Sequence, residues 1–285
     1  MFLAMNCTLE KGQVVILPVA FDKTTSYGKG TDKGPAALLE ASKYIELYDI
    51  ETDTEMCRAG IHTAPELRPV TSEEMLKVTY ETASQYIDQG KFVVTLGGEH
   101  SISYAPIRAH AEKYGPLSVL QLDAHSDLHP ALGGNPHSHG SVMARVKTIP
   151  EVENVVAVGI RSMAEREKEE MEKEDVFFAH QLEGEAWMDQ VIDRLSDRVY
   201  LSFDVDAFDS SLMPSTGTPE PGGLFWNPAL KLLKKVIEKR SLVGFDVVEL
   251  SPIPGMHAPD YLAAKLVYKI LSYLFEPKDS RNGDR

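Results

Sequence analysis

Short apolar runs recur along this chain at intervals long enough to hold a helix between each pair, and that rhythm constrains the fold more than any other feature. The runs are Val14–Pro18, Phe92–Leu96, Leu117–Asp123, Val155–Ile160, Val176–Ala179, Arg198–Asp204 and Leu242–Val248. They are rich in Val, Leu and Phe and alternate little with polar residues, as strands buried on both faces do. Helix candidates lie between them at Pro35–Ile45, Thr71–Gln89, Ser101–Tyr114, Met163–Glu174, Glu185–Leu195, Asn227–Lys239 and Ala258–Phe275. The longest opens on Thr71-Ser-Glu-Glu, an N-cap followed by acidic first-turn residues. Strand–helix alternation from end to end predicts an α/β fold, a parallel sheet with helices on both faces. No Pro-, Gly- or Ser-rich linker divides the chain, so one domain over 1–285 is the economical reading, with 1–10 and the polar segment 277–285 expected to fray.

The chain carries 43 acidic against 29 basic side chains, a formal net charge of −14. Such a surface repels nucleic acid and anionic membrane and attracts cations, although excess carboxylates also simply aid solubility. Two cysteines, Cys7 and Cys57, allow neither a disulfide framework nor a Cys-x-x-Cys metal motif. The first ten residues lack the basic and apolar regions of a signal peptide. No apolar stretch approaches roughly 18 residues, so no transmembrane helix is expected and the cytoplasm is the expected compartment.

The apolar runs end on an unusual charge load. Leu117–Asp123 leads into Ala-His-Ser-Asp, which spaces Asp123, His125 and Asp127 at i, i+2, i+4 and would project them from one face of an extended chain. Arg198–Asp204 continues to Asp206 at i+2. Phe92–Leu96 ends in Gly-Gly-Glu-His, where the glycines permit a tight turn that would place His100 at the sheet edge. Taken singly, His100 could be a core or capping histidine, Asp204 a helix N-cap and Asp123 a solvated loop residue. Together, His100, Asp123, His125, Asp127, Asp204 and Asp206 are an expensive set of buried charges unless a cation compensates them. Oxygen and nitrogen donors without thiolate favour Mn²⁺ or a similar ion. Four carboxylates are too many for one catalytic ion with open positions, and suit two ions about 3.5–4 Å apart.

Several stretches, in order, closely resemble the ureohydrolase (arginase–agmatinase) family, most like the agmatinases. They are Gly-Gly-Glu-His-Ser at 97–101, Asp-Ala-His-Ser-Asp at 123–127 and Ser-Phe-Asp-Val-Asp-Ala-Phe-Asp at 202–209. Ser-His-Gly-Ser at 138–141, Gly-Thr-Pro-Glu-Pro-Gly-Gly at 217–223, Phe-Asp-Val-Val-Glu-Leu-Ser-Pro at 245–252 and the segment from Lys33 to Ser42 extend the likeness over most of the chain. The resemblance implies a three-layer αβα sandwich of about eight mainly parallel strands, the arginase/deacetylase-like fold, assembled as homo-trimers or hexamers. It implies two Mn²⁺ per subunit, one held by His100, Asp123, Asp127 and Asp204, the other by His125, Asp123, Asp204 and Asp206, with Asp123 and Asp204 bridging.

It also implies urea release from a small cationic guanidine substrate. A guanidinium is a poor electrophile, so the attacking water needs activation by metal. Asp127 is expected to orient that water, and Glu249, after Leu242–Val248, to pair with the guanidinium. His139 is expected to carry protons to the leaving amine. Thr218, Asn135 and Ser138 are candidate substrate contacts. The loop Leu128–Ser138 contains no Arg or Lys for a substrate carboxylate, and Glu220 stands where arginases usually have an apolar residue. Agmatine, giving putrescine and urea in polyamine biosynthesis, is therefore favoured over N1-aminopropylagmatine, guanidinobutyrate and arginine. A two-metal phosphoester hydrolase would want a P-loop or an Arg cluster, neither of which is evident, and a single-zinc deacetylase would not need the full donor set. A non-catalytic metal-binding scaffold is disfavoured because no expected ligand or proton carrier is missing. The charged segment Arg161–Gly184 reads only as a solvated helix face.

Overall fold

The computed structural model describes residues 1–171 and 175–275. Eight strands form one sheet: β1 (Val14–Val19), β2 (Ile61–Thr63), β3 (Phe92–Gly97), β4 (Leu117–Leu122), β5 (Val152–Ile160), β6 (Asp175–Phe178), β7 (Arg198–Asp204) and β8 (Ser241–Val248). Their order is β2-β1-β3-β8-β7-β4-β5-β6, and every neighbouring pair is parallel. Helices among the described residues are α1 (Gly34–Ser42), α2 (Ser72–Asp88), α3 (Tyr104–Tyr114), α4 (Val142–Val146), α5 (Lys168–Met171), α6 (Ala186–Arg194), α7 (Trp226–Lys239) and α8 (His257–Leu274).

The near-continuous apolar character of the strands follows from what covers them. Val14 and Ile16 of β1 face one core with Leu38 of α1, while Val15, Leu17 and Val19 face another with Met75 and Ala83 of α2. Likewise Val199, Leu201 and Phe203 of β7 pack on the side of α6, α7 and α8, and Tyr200 packs on the side of α3 and α4. The result is the expected three-layer αβα sandwich.

After β3 the chain crosses to β4, runs outward through β5 and β6, then returns to lay β7 and β8 in the gap between β3 and β4. Four strand ends that are distant in sequence thus stand side by side at the middle of the sheet. Crevices outside the C-terminal ends of such strands are where parallel sheets bind ligands.

Several local expectations change. The short strand β2 and the helix α4 have no counterpart among the expected elements, because a three-residue strand and a five-residue helix carry too little periodicity to read. The helix expected over Met163–Glu174 is a 3₁₀ turn at Glu165–Glu167 followed by one α turn, and its last three residues lie outside the described ones. The opening residues, expected to fray, are docked instead. Phe2 is fully buried, its amide donates to Thr63 Oγ1 at 2.9 Å, and that of Leu3 donates to Ser42 Oγ at 2.9 Å. Residues 277–285 lie outside the described residues. No helix among the described residues is long and apolar enough to cross a membrane.

Candidate metal centre

Three connections carry the candidate ligands. The turn after β3 places His100 in a 3₁₀ turn, His100–Ser103. Space, more than backbone freedom, requires glycine just before it: a Cβ on Gly98 would lie 2.0 Å from the Phe21 carbonyl oxygen. Strand β4 stops at Leu122, one residue short of expectation, and Asp127 adopts φ +54°. Asp123, His125 and Asp127 therefore converge through a bent loop and not as one face of an extended chain. Asp204 ends β7 and caps a 3₁₀ turn, its Oδ1 accepting the Asp206 amide at 2.8 Å.

The side chains meet in two groups. Nδ1 of His100 lies 3.1 Å from Asp123 Oδ2, 3.0 Å from Asp127 Oδ2 and 3.4 Å from Asp204 Oδ2. Nδ1 of His125 lies 2.9 Å from Asp206 Oδ2 and 3.7 Å from Asp123 Oδ1. Asp123 turns one oxygen to each group, the geometry of a bridging carboxylate. Asp204 stands with the first group only, so the second bridge implied by the family resemblance is not visible in the side-chain positions.

The donor chemistry of His100 fits a metal. Its Nε2 is 2.9 Å from Ser202 Oγ, and that hydroxyl spends its single hydrogen on Asp246 Oδ1, also at 2.9 Å. Ser202 can then only accept, so Nε2 carries the hydrogen and Nδ1 keeps its lone pair. That Nδ1 is buried, has no hydrogen-bond partner, and faces three carboxylate oxygens. A nitrogen lone pair facing three carboxylate oxygens, with the histidine oriented by a hydroxyl and a carboxylate behind it, is the pattern of a ligand with its outer shell. Gln121 steadies the shared carboxylate and the loop after it, its Nε2 donating to Asp123 Oδ2 at 2.9 Å and to the His125 carbonyl at 3.1 Å.

Electrostatics agree. Burial, then Asp206 and Asp123, push the Asp204 carboxyl well above the ordinary carboxylate range. Burial, then Asp123, also raises Asp127. Burial alone would lower His125, but Asp206 and Asp123 reverse this and push the imidazole up to about 12. Among the described residues, the ion pairs of these four carboxylates are with the two imidazoles, and divalent cations there would offset the charge more completely.

Two adjoining hollows open on this centre and share Ser26, Asp127, His139 and Thr218. The inner one is also lined by Glu249, Asp204, Asp206 and Gly217. Glu249 is buried at φ +64°, and its Oε1 accepts the His100 amide at 2.6 Å. Strained non-glycine backbone at both Asp127 and Glu249 is the kind a fold retains where a side chain must be aimed. The outer hollow runs to Ser162, Met163, Ala164, Arg166 and Glu167. Thr218 and His139 line both hollows, whereas Asn135 and Ser138 line neither: Asn135 Oδ1 accepts the His137 amide, and Ser138 Oγ pairs with Ser141 Oγ at 2.9 Å.

Sequence reasoning missed several residues. Ser202 and Asp246 were legible as polar interruptions inside apolar strands. Glu99 lay within the quoted Gly-Gly-Glu-His-Ser. Arg161, in the segment read as a solvated face, donates to the carbonyls of Asp206, Phe208 and Glu220 and so ties the Asp206 turn to the loop at Glu220. No periodicity announces such a role.

Paired nitrogen–oxygen donor groups sharing a carboxylate, at the centre of a parallel sheet's C-terminal edge, define a class of hydrolases that work through two metal ions. Comparison with known proteins narrows that class. The model of the Arginase family matches residues 12–272. N(1)-aminopropylagmatine ureohydrolase from Thermus thermophilus is 40% identical over 264 residues, covering 91% of this chain and 89% of that protein. Agmatinase from Pyrococcus horikoshii is 32% identical over 277 residues, 92% of each chain. The crystal structure of agmatine ureohydrolase from Thermoplasma volcanium superposes with a TM-score of 0.88 at 28% identity, covering 98% of this chain and 95% of that one. The chain belongs to the arginase family, a family of binuclear metal enzymes, and is a ureohydrolase.

Proposed function

We propose that this enzyme uses two Mn²⁺ ions to release urea from the guanidinium end of a linear polyamine, with N1-aminopropylagmatine as its preferred substrate. The observation that carries the substrate is a carboxylate in each of the two joined hollows besides the candidate metal ligands, Glu249 in the inner one and Glu167, next to Arg166, in the outer. Glu167 is buried to 6% exposure, and its Oε2 accepts the Ala164 amide at 2.7 Å. A buried carboxylate lining the outer hollow suits an added ammonium group. The higher identity to a relative of that name agrees. Agmatine, favoured from sequence, is the second reading: the loop 128–138 contains no Arg or Lys for a carboxylate-bearing substrate, and Pyrococcus horikoshii agmatinase is a relative.

His100, Asp123, Asp127 and Asp204 would hold one ion, and His125, Asp123 and Asp206 the other. Donors of nitrogen and oxygen without sulfur favour manganese. Bound there, the ions supply Lewis acidity and lower the pKa of water. The chain's own residues do the rest. Burial pushes the Glu249 carboxyl well above its ordinary range, the His100 amide offsets part of this, and a guanidinium would supply the missing counter-charge. Each carboxylate oxygen has two lone pairs, so Glu249 can hold that amide and a planar cation together. Asp127, which faces both the centre and the hollow, would orient a water. His139, which lines both hollows, would carry the proton that the leaving amine requires.

Purified protein loaded with Mn²⁺ should release urea from N1-aminopropylagmatine with a higher kcat/KM than from agmatine, and from arginine barely at all. Glu167→Gln should narrow the gap by raising KM for the longer amine alone. Equal kcat/KM for the two amines would return the choice to agmatine, and urea from arginine alone would refute the polyamine reading.

A further inference from the structure

The reading of His139 as proton carrier leaves open which ring nitrogen works and what fixes it. Glu99, fully buried behind the turn that bears His100, bears on both points. Its Oε2 accepts the amides of Lys23 and Thr24, each at 2.6 Å. Its Oε1 accepts the Ser101 hydroxyl at 2.6 Å and the Thr24 hydroxyl at 2.5 Å. A carboxylate can only accept, so the one hydrogen of Thr24 Oγ1 is committed to Glu99. Toward His139 that oxygen has only lone pairs left. It receives the His139 backbone amide at 2.9 Å, and the ring's Nδ1 stands 3.3 Å away. Counting hydrogens, Nδ1 must carry one. In the neutral ring Nε2 is then the lone-pair nitrogen, 3.0 Å from Ser26 Oγ, which can donate to it.

We propose that Glu99 and Thr24 are positioning residues that hold His139 as the Nδ1–H tautomer, so that Nε2 is the nitrogen that exchanges protons during urea release. The inference rests on the reading of His139 above. Nε2 takes a proton from the water whose oxygen bonds to the guanidinium carbon and gives it to the leaving nitrogen as the carbon–nitrogen bond breaks and its electron pair stays on that nitrogen. The ring returns to neutral with Nδ1–H still held on Thr24. The arm also ties the metal side to the proton-carrying side, since Glu99 directly precedes His100. Nothing periodic in the loop Lys23–Ser26 marks it, and its meaning appears only when the hydroxyl's single hydrogen is followed.

The test uses the metal-loaded full chain and agmatine and N1-aminopropylagmatine as substrates. Thr24→Val should lower kcat by roughly 10- to 100-fold, a part of what acid–base catalysis supplies, with KM unchanged. Thr24→Ser, which keeps the hydroxyl, should recover most of that loss. In a His139→Asn background Thr24→Val should cost nothing further. Glu99→Gln probes the other end with little change of shape: an amide can donate to Thr24, turn its hydrogen toward Nδ1 and reproduce the loss of kcat. Melting temperatures of all variants identify any that fail to fold, and Glu99→Gln then carries the test alone. Wild-type kcat in Thr24→Val and Glu99→Gln beside an impaired His139→Asn would overturn the positioning arm and leave the reading of His139 intact. A loss that adds fully to that of His139→Asn would also overturn it, as a merely structural effect. Wild-type kcat in His139→Asn would refute the proton carrier itself, and the arm with it.

Discussion

On α8, buried Lys269 pairs with buried Asp49 and with the more exposed Glu51; at the ends of β3, β4 and β7, buried Asp123, Asp127, Asp204 and Asp206 gather around buried His100 and partly buried His125. Both clusters take charge out of water, which is costly unless the charges are matched. The α8 cluster is matched by its own residues. Lys269 Nζ donates to Asp49 Oδ1 at 2.9 Å and Glu51 Oε2 at 2.7 Å, and Lys234 and Tyr273 complete Glu51. The cluster at the strand ends is not matched: four carboxylates face two imidazoles. The difference separates a fastening from a site. The first is complete when the chain folds, and the second is built to receive cations.

The largest effects should therefore fall on opposite properties. Asp204→Asn removes a donor from the first metal group. Losing about 4 kcal/mol of metal-assisted transition-state stabilisation would lower kcat/KM for agmatine roughly a thousand-fold. In metal-stripped protein the same change relieves a like-charge contact, so the variant should melt no lower than wild type. Lys269→Met should do the reverse. It leaves Asp49 buried without its cation, at a cost of about 3 kcal/mol in urea unfolding, while turnover stays within about twofold. Marked destabilisation of stripped Asp204→Asn, or a collapse of turnover in Lys269→Met, would break the comparison.

The two clusters should also respond to pH with opposite sign. His125 is raised from its ordinary 6.5 to about 12, so its stabilising proton is fully present below 6.5 and is lost as pH climbs toward 12. His100 is raised as well, burial opposing and Asp123, Asp127 and Asp204 prevailing. Metal-stripped protein should thus lose stability steadily above pH 6.5, and bound Mn²⁺, which replaces those protons, should flatten the decline. Glu51 is lowered from 4.5 to about 2: burial opposes, and Lys269, Lys234 and Tyr273 prevail. Its contribution is present above 4.5 and fades as pH falls toward 2. Melting curves from pH 3 to 10, with and without Mn²⁺, separate the two limbs. Identical alkaline limbs in both forms would show that the imidazoles are not the metal donors.

The comparison also explains what the sequence could say. The site cluster was legible because its charges sit where apolar strands end, and His100, Asp123 and Asp204 each follow such a run. The sheet was legible for the same reason. The α8 cluster was silent: Lys269 lies in an otherwise ordinary helix, and its partners are some 220 residues earlier, a pairing that only folding makes. The path from Asp123 to Asp127 was legible in outcome and misread in form, since i, i+2 spacing fits an extended chain and a bent loop equally well. Glu99, Thr24 and Arg161 act through backbone amides, hydroxyls and carbonyls, which leave no periodic trace. Asn135 and Ser138 hydrogen-bond within their own loop, which their polarity alone does not reveal.

The smallest effect sharpens the fastening from within. Asp49 and Glu51 share Lys269, yet Asp49 is 3% exposed and Glu51 42%. Solvent screens the half-exposed partner, so Glu51→Gln should cost less than about 1 kcal/mol at neutral pH and should fade further in high salt. Asp49 has no such screening. Its Oδ1 also receives the amides of Glu51 and Thr52 at 3.1 Å, so Asp49→Asn disturbs a turn as well as an ion pair. It should cost roughly twice as much or more, with little dependence on salt. Urea unfolding at low and high salt measures both. If Glu51→Gln proved the costlier, the outer carboxylate would be what holds Lys269 in place, and burial would not be what ranks the two.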